Sequence, residues 1–211
     1  LADAPPRPAW ETTRPLDPEL IKALEDEYFQ SGYEIRSMLR VLFNSDSFKD
    51  ARFAKVKSPA EVVCGTLRLV GDFVQPKPRM YDAGLEIRYM GQDLLNPPTV
   101  EGWHTGREWI DSGTLVERIN FTADQVGNTN HSGIKNIINR LSSIGPVLTA
   151  EQLVDGCLEN LGAYELSGET RKQLLELAGS EGEIHSDSEG FPLQVATMLQ
   201  SIVATTEYLF A

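Results

Sequence analysis

An all-α fold is what the sequence predicts, and three observations predict it. Apolar residues recur at the three- and four-residue spacing of a helix face, as in Ile134, Ile137, Ile138 and Leu141. Capping signals stand ahead of such runs: Ser58-Pro59-Ala60-Glu61 and Thr149-Ala150-Glu151-Gln152 each place a hydroxyl three residues before a Glu or Gln. Strand-like alternation of useful length occurs nowhere. The expectation is an irregular multi-helix bundle of about eight or nine helices with one long ordered loop. No repeat of fixed period is present, which argues against a solenoid.

The elements follow in order. Residues 1–16 read as an extended, proline-rich lead-in, and 17–211 as a single helical domain. Asp17 caps the first helix and Pro18 fits its first turn; Leu20, Ile21, Leu24 and Tyr28 mark its apolar face. Ser31-Gly32 stops it. In the second helix Ile35, Met38, Leu39 and Leu42 share a face while Arg36 and Arg40 lie on another. Asn44-Ser45-Asp46 is a turn or a new cap, and Phe48 and Phe53 read as anchors in an irregular stretch. Behind the Ser58 capping box, Val62, Val63, Leu67, Leu69 and Val70 surround most of a helix that should be central, with Gly65 marking a close helix contact. Tyr81 to Leu95 reads as helical. Asp111 or Ser112 caps a helix with Leu115, Ile119 and Thr122 along one side, and the Ile134 helix ends at Gly145-Pro146. Thr149 and Ser167 cap two more. Gly179 to Gly190 is polar, acidic and unpatterned, an exposed loop, and the last helix spans about Pro192 to Tyr208.

The 211 residues carry a net charge of −12, with 41% hydrophobic and 24% charged residues. This composition is that of a globular protein. The acidic balance disfavours nucleic acid, which is bound through cationic neutralisation of phosphates. No apolar run is long enough for membrane insertion. The two cysteines, Cys64 and Cys157, sit in apolar helical patterns that suit buried thiols. A pairing between them stays open. No zinc spacing, no GxSxG elbow and no cofactor motif is present, so neither metal nor cofactor is expected.

The segment from Asn96 to Trp109, NPPTVEGWHTGREW, joins two prolines, two glycines and two tryptophans between helical stretches. Prolines fix the path and glycines permit its bends. Two large apolar indoles would clamp it onto the body.

Four stretches resemble the DUF1800 family. They are PLDPELIKAL with SGYEIRSMLRVLFNSDSF, then KVKSPAEVVCGTLRLVG, then MGQDLLNPPTVEGWHTGREWIDSGTLVERINF, and the ending LQSIVATTEYLFA. The resemblance implies that this chain, which starts at Leu, corresponds to the C-terminal half of a longer protein with a further helical N-terminal part. It also implies a bacterial protein, export to the periplasm or beyond, and a DUF1501-type protein as partner. It carries over no catalytic residues.

Candidate binding residues come from the matching segments. Trp103, His104, Arg107 and Trp109 would form an aromatic and basic surface suited to a sugar or planar group, or else plug the core. Glu61 and Arg68, two turns apart on one helix, would line a pocket, or else serve as a cap and a surface pair. Arg118 and Asn120 close the third motif, with Arg118 placed to tie loop to helix. Two functions follow as expectations. One is a non-catalytic binding or scaffold module; the other is part of an enzyme, such as a hydrolase, whose site an absent N-terminal part completes.

Overall fold

The computed structural model describes residues 17–51, 55–72, 75–76, 78, 80–103, 106–162, 165–180 and 182–209. These fall into two compact units divided between Val56 and Lys57. The all-α expectation holds: eleven helices form among the described residues, nine of them of at least eight residues, beside one two-stranded sheet.

The first unit is a helical hairpin with a short third helix: α1 (Pro18–Gln30), α2 (Ile35–Asn44) and α3 (Asp46–Asp50). Asp17 caps α1 by accepting from the Leu20 amide at 2.8 Å. Gly32 and Tyr33 turn the chain at φ 69° and 75°, and the Tyr33 amide donates back to the Tyr28 carbonyl at 2.8 Å. This left-handed turn closes α1 by satisfying a terminal carbonyl. Ser37 on α2 donates to Glu27 on α1. Ser45 caps α3 by accepting from the Phe48 amide. Phe48 therefore lies on a helix rather than in an irregular stretch, while Phe53 falls outside the described residues.

The second unit holds α4 (Pro59–Leu69), α5 (Asp82–Tyr89), α6 (Ser112–Gly127), α7 (Ser132–Ser142), β1 (Val147–Leu148), α8 (Ala150–Leu161), α9 (Gly168–Gly179), β2 (Ile184–His185), α10 (Phe191–Val203) and α11 (Thr206–Leu209). Its axis is α10, which buries Phe191, Val195, Met198, Leu199, Ile202 and Val203. It packs most extensively on α6, and also on α7, α8 and α9. Ile134, Ile137, Ile138 and Leu141 of α7 join that core. A smaller core joins Val62 and Val63 of α4 to Ile87 and Met90, with Phe121 of α6 against it. A two-pronged bond ties α9 to α8, Arg171 Nη1 and Nη2 donating to Asp155 at 2.7 and 3.1 Å.

Several expectations are corrected. The stretch from Tyr81 to Leu95 is helical only over Asp82–Tyr89. Gly91 at φ 97° ends it, with the Gly91 and Gln92 amides donating back to Arg88 and Ile87. α4 is not surrounded by core: Glu61, Cys64, Gly65 and Arg68 form an exposed side. Nothing lies within 4 Å of where a Gly65 Cβ would stand. The close helix contact is at Gly133 instead, whose amide donates to Val70 at 2.9 Å. The polar stretch 179–190 is not uniformly exposed, because Ile184 is buried and pairs with Leu148 across β1 and β2. The last helix breaks after Val203, and Thr206–Leu209 restarts it. Cys64 is exposed and Cys157 buried, and both are free thiols. Burial pushes the Cys157 thiol up to about 12, so it stays protonated at neutral pH.

Candidate binding site

The chemistry of the second unit gathers where the chain enters α4. The Lys57 amide donates to the Leu209 carbonyl at 3.1 Å. Its ammonium donates to the Tyr208 carbonyl at 2.8 Å and stands 4.3 Å from the centroid of the Tyr208 ring. An aromatic face attracts a cation held this way. The Lys57 carbonyl in turn accepts from Arg118 Nη1 at 2.7 Å. The segment thus joins the start of α4, the middle of α6 and the end of the unit.

Arg118 is the unusual residue. It has no exposed surface, and it shares the inner face of α6 with Thr122 and Val126. Its Nε and Nη2 are buried without a hydrogen-bond partner among the described residues. A buried charge with one carbonyl as its acceptor is costly, because desolvation is offset only by paired charge and a full set of hydrogen bonds. Burial accordingly lowers the guanidinium to about 10. Burial also lowers Lys57 to about 8, with the Glu61 carboxylate drawing it part of the way back. The same burial raises the Tyr208 phenol. Arg118, enclosed and with two nitrogens lacking an acceptor among the described residues, makes a centre that an anion would stabilise.

The sequence-predicted residues do not all meet here. Glu61 completes the capping box: it accepts from the Ser58 amide at 2.7 Å while Ser58 accepts from the Glu61 amide at 3.3 Å. Arg68 stands exposed in the last turn of α4. Trp103 is half-buried and donates from its indole to the Asp93 carbonyl at 3.1 Å. Trp109 is buried, and its carbonyl accepts from Thr114 Oγ1 at 2.9 Å. The Trp103 indole therefore pins the loop to the turn after α5, and the Trp109 indole is enclosed at the loop's far end. His104 and the Arg107 side chain lie outside the described residues. Asn120 is exposed, two residues and so roughly 200° around the helix from Arg118. Arg118 ties α6 to Lys57, at the entrance of α4, rather than to the loop.

Sequence reasoning missed Lys57 and Tyr208, which no motif marks, and it missed Gln92. Gln92 is buried and accepts from the Ala60 amide at 3.0 Å, supplying one of the acceptors that the start of α4 needs. It also missed the loop tip: Leu95 stands at φ 65° and is fully exposed, as is Val100. Elsewhere, a groove of about 450 Å³ is lined by Leu67, Ala83, Glu86, Phe121 and His131 among others. Burial, then Glu117, Asp82 and Asp124, raises the Glu86 carboxyl. Among the described residues, no three His, Cys, Asp or Glu side chains come together as a metal site would require. Nor is any described helix long and apolar enough to cross a membrane.

Fold and site together define an all-helical protein with a buried, cationic centre at the joint of α4 and α6. The family model described as protein of unknown function (DUF1800) matches residues 11–210. The chain belongs to that family. No curated protein and no solved structure matches it.

Proposed function

We propose that this chain is a non-catalytic binding module whose recognition centre is the Lys57–Arg118 pair. Its ligand group is a carboxylate. One observation carries the reading: Arg118 is enclosed, charged, and has two nitrogens without an acceptor among the described residues. A carboxylate presents two oxygens in the geometry that two guanidinium nitrogens match. Its charge would compensate the Arg118 guanidinium. Because no Arg118 atom reaches solvent, the ligand enters only with an opening motion, and association should be slow relative to free diffusion. The partners that the family resemblance implies, a further N-terminal helical part and a DUF1501-type protein, are the first to survey for such a carboxylate.

The test is thermal unfolding and calorimetry with acetate, succinate, citrate and phosphate, on the parent and on Arg118→Met. The expected result is a carboxylate-dependent rise in Tm that the variant lacks. Equal stabilisation of parent and variant would mean a general salt effect and would end the reading. The enzyme reading has its own support in Lys57, whose pKa of about 8 lies in the range of working amine bases and nucleophiles. A hydrolase screen comparing the parent with Lys57→Met separates the two: turnover abolished in the variant favours the enzyme.

A further inference from the structure

The first unit carries a surface that the Lys57–Arg118 reading does not touch. No residue of α2 is buried, although the helix is strongly two-sided. Its half-buried residues, Met38, Val41 and Leu42, lie on one side with Ser37, which is bonded to α1. Adjoining them on the helix, Ile35, Leu39 and Phe43 repeat at four-residue intervals and are 57%, 41% and 52% exposed. Such spacing lines them up as one stripe. Phe48 of α3 lengthens it, its ring 5.0 Å from that of Phe43. A contiguous apolar strip of this kind is a mark of an interaction surface.

Charge beside the stripe says what covers it. Arg36 and Arg40 follow Ile35 and Leu39 by one residue, so they run along one edge, one turn apart. Both are exposed, and neither guanidinium meets a carboxylate among the described residues. A second copy of this chain is a poor occupant. Laying α2 antiparallel on α2 brings guanidinium groups together, and like charges across an interface select against that pairing; laid parallel, α2 offers the arginines no carboxylate, since it carries no Asp or Glu. The complementary occupant is a helix whose own apolar stripe is edged by carboxylates.

We propose that the Ile35–Leu39–Phe43 face of α2 docks an amphipathic helix of another protein, with Asp or Glu one turn apart to meet Arg36 and Arg40. The contact is a helix laid along a helix, anchored at four-residue intervals and steered by the charged edge.

Two synthetic amphipathic helices test this. They share one apolar stripe, and their flanks carry either glutamates or lysines. Binding to the full chain is read by fluorescence anisotropy at low and high salt. The acidic peptide should bind about tenfold or more tighter than the basic one, two attractive pairs replacing two repulsive ones. The double variant Arg36→Glu, Arg40→Glu should reverse that preference. Leu39→Asp, at an exposed position, should remove binding of both peptides while leaving the circular dichroism and Tm in place. Equal binding of the two peptides, binding of neither, or no reversal in the double variant would overturn the proposal. So would sedimentation showing that the parent self-associates and Leu39→Asp does not, because the occupant would then be a second copy.

Discussion

Arg118 concentrates the cost and the use of the second unit in one side chain. Removing one member of a buried ion pair loses about 3–5 kcal/mol because it leaves the other charge uncompensated, whereas a buried charge with no ionic partner carries a desolvation cost that an apolar side chain of similar length does not. Among the described residues Arg118 has one carbonyl partner and no carboxylate. Arg118→Met should therefore hold or raise stability in urea, the lost bond to the Lys57 carbonyl working against the relief of the charge. A loss of several kcal/mol would show that a carboxylate compensates Arg118 in the folded chain. Lys57 gives a pH signature of the same burial. Its folded pKa of about 8 lies below the ordinary 10.5, so the unfolded chain binds more protons between those values. Stability then rises with pH through that window, is fully present above it, and is lost as pH falls through about 8. Lys57→Met should flatten this rise in denaturant titrations from pH 7 to 10.5. A variant whose pH profile overlays the parent's would refute the assignment.

Among the elements, two glycines test how the helices meet. Gly65 lies inside α4 with open space around it, so Gly65→Ala should stabilise by about 1 kcal/mol through helix propensity alone. Gly133 sits where α7 starts against the end of α4, and a Cβ there would overlap the Leu69 carbonyl oxygen and the Val70 backbone. Backbone cannot rotate aside as a side chain can, so Gly133→Ala should cost about 2 kcal/mol or more. Chemical denaturation of both variants checks the pair, and equal effects would contradict the packing. Periodicity and caps were enough to place α1, α4, α7, α8 and α9, because each signal is local: Asp17, Ser58, Thr149 and Ser167 bond to amides three residues away. What they could not place depends on distant partners. The buried face of α6 runs through Arg118, Thr122 and Val126, and an apolar pattern passes over an arginine and a threonine. Gly65 and Gly133 look alike in sequence, and only the approach of Leu69 and Val70 distinguishes them. Lys57 becomes a site through Tyr208, 151 residues away in the chain.

Across the molecule, burial is unevenly divided, and that division sets where the fold opens first. In α1 only Leu20 is buried, and in α2 and α3 nothing is. By contrast α10 buries seven of its 13 residues. Local opening free energy follows buried apolar contact, from near zero at thinly packed segments up to the global value in the core. Hydrogen–deuterium exchange should therefore label the amides of α1–α3 well before those of α7, α8 and α10. The net charge of −12 is carried mostly beyond Val56, where acids outnumber bases 21 to 11, against 10 to 8 before it. Self-repulsion thus bears chiefly on the second unit. Added salt should slow exchange in α7–α10 more than in α1–α3, whose instability comes from missing core rather than from charge. Equal protection of α2 and α10, or a salt effect confined to the first unit, would show that uncovered apolar surface is not what limits the hairpin.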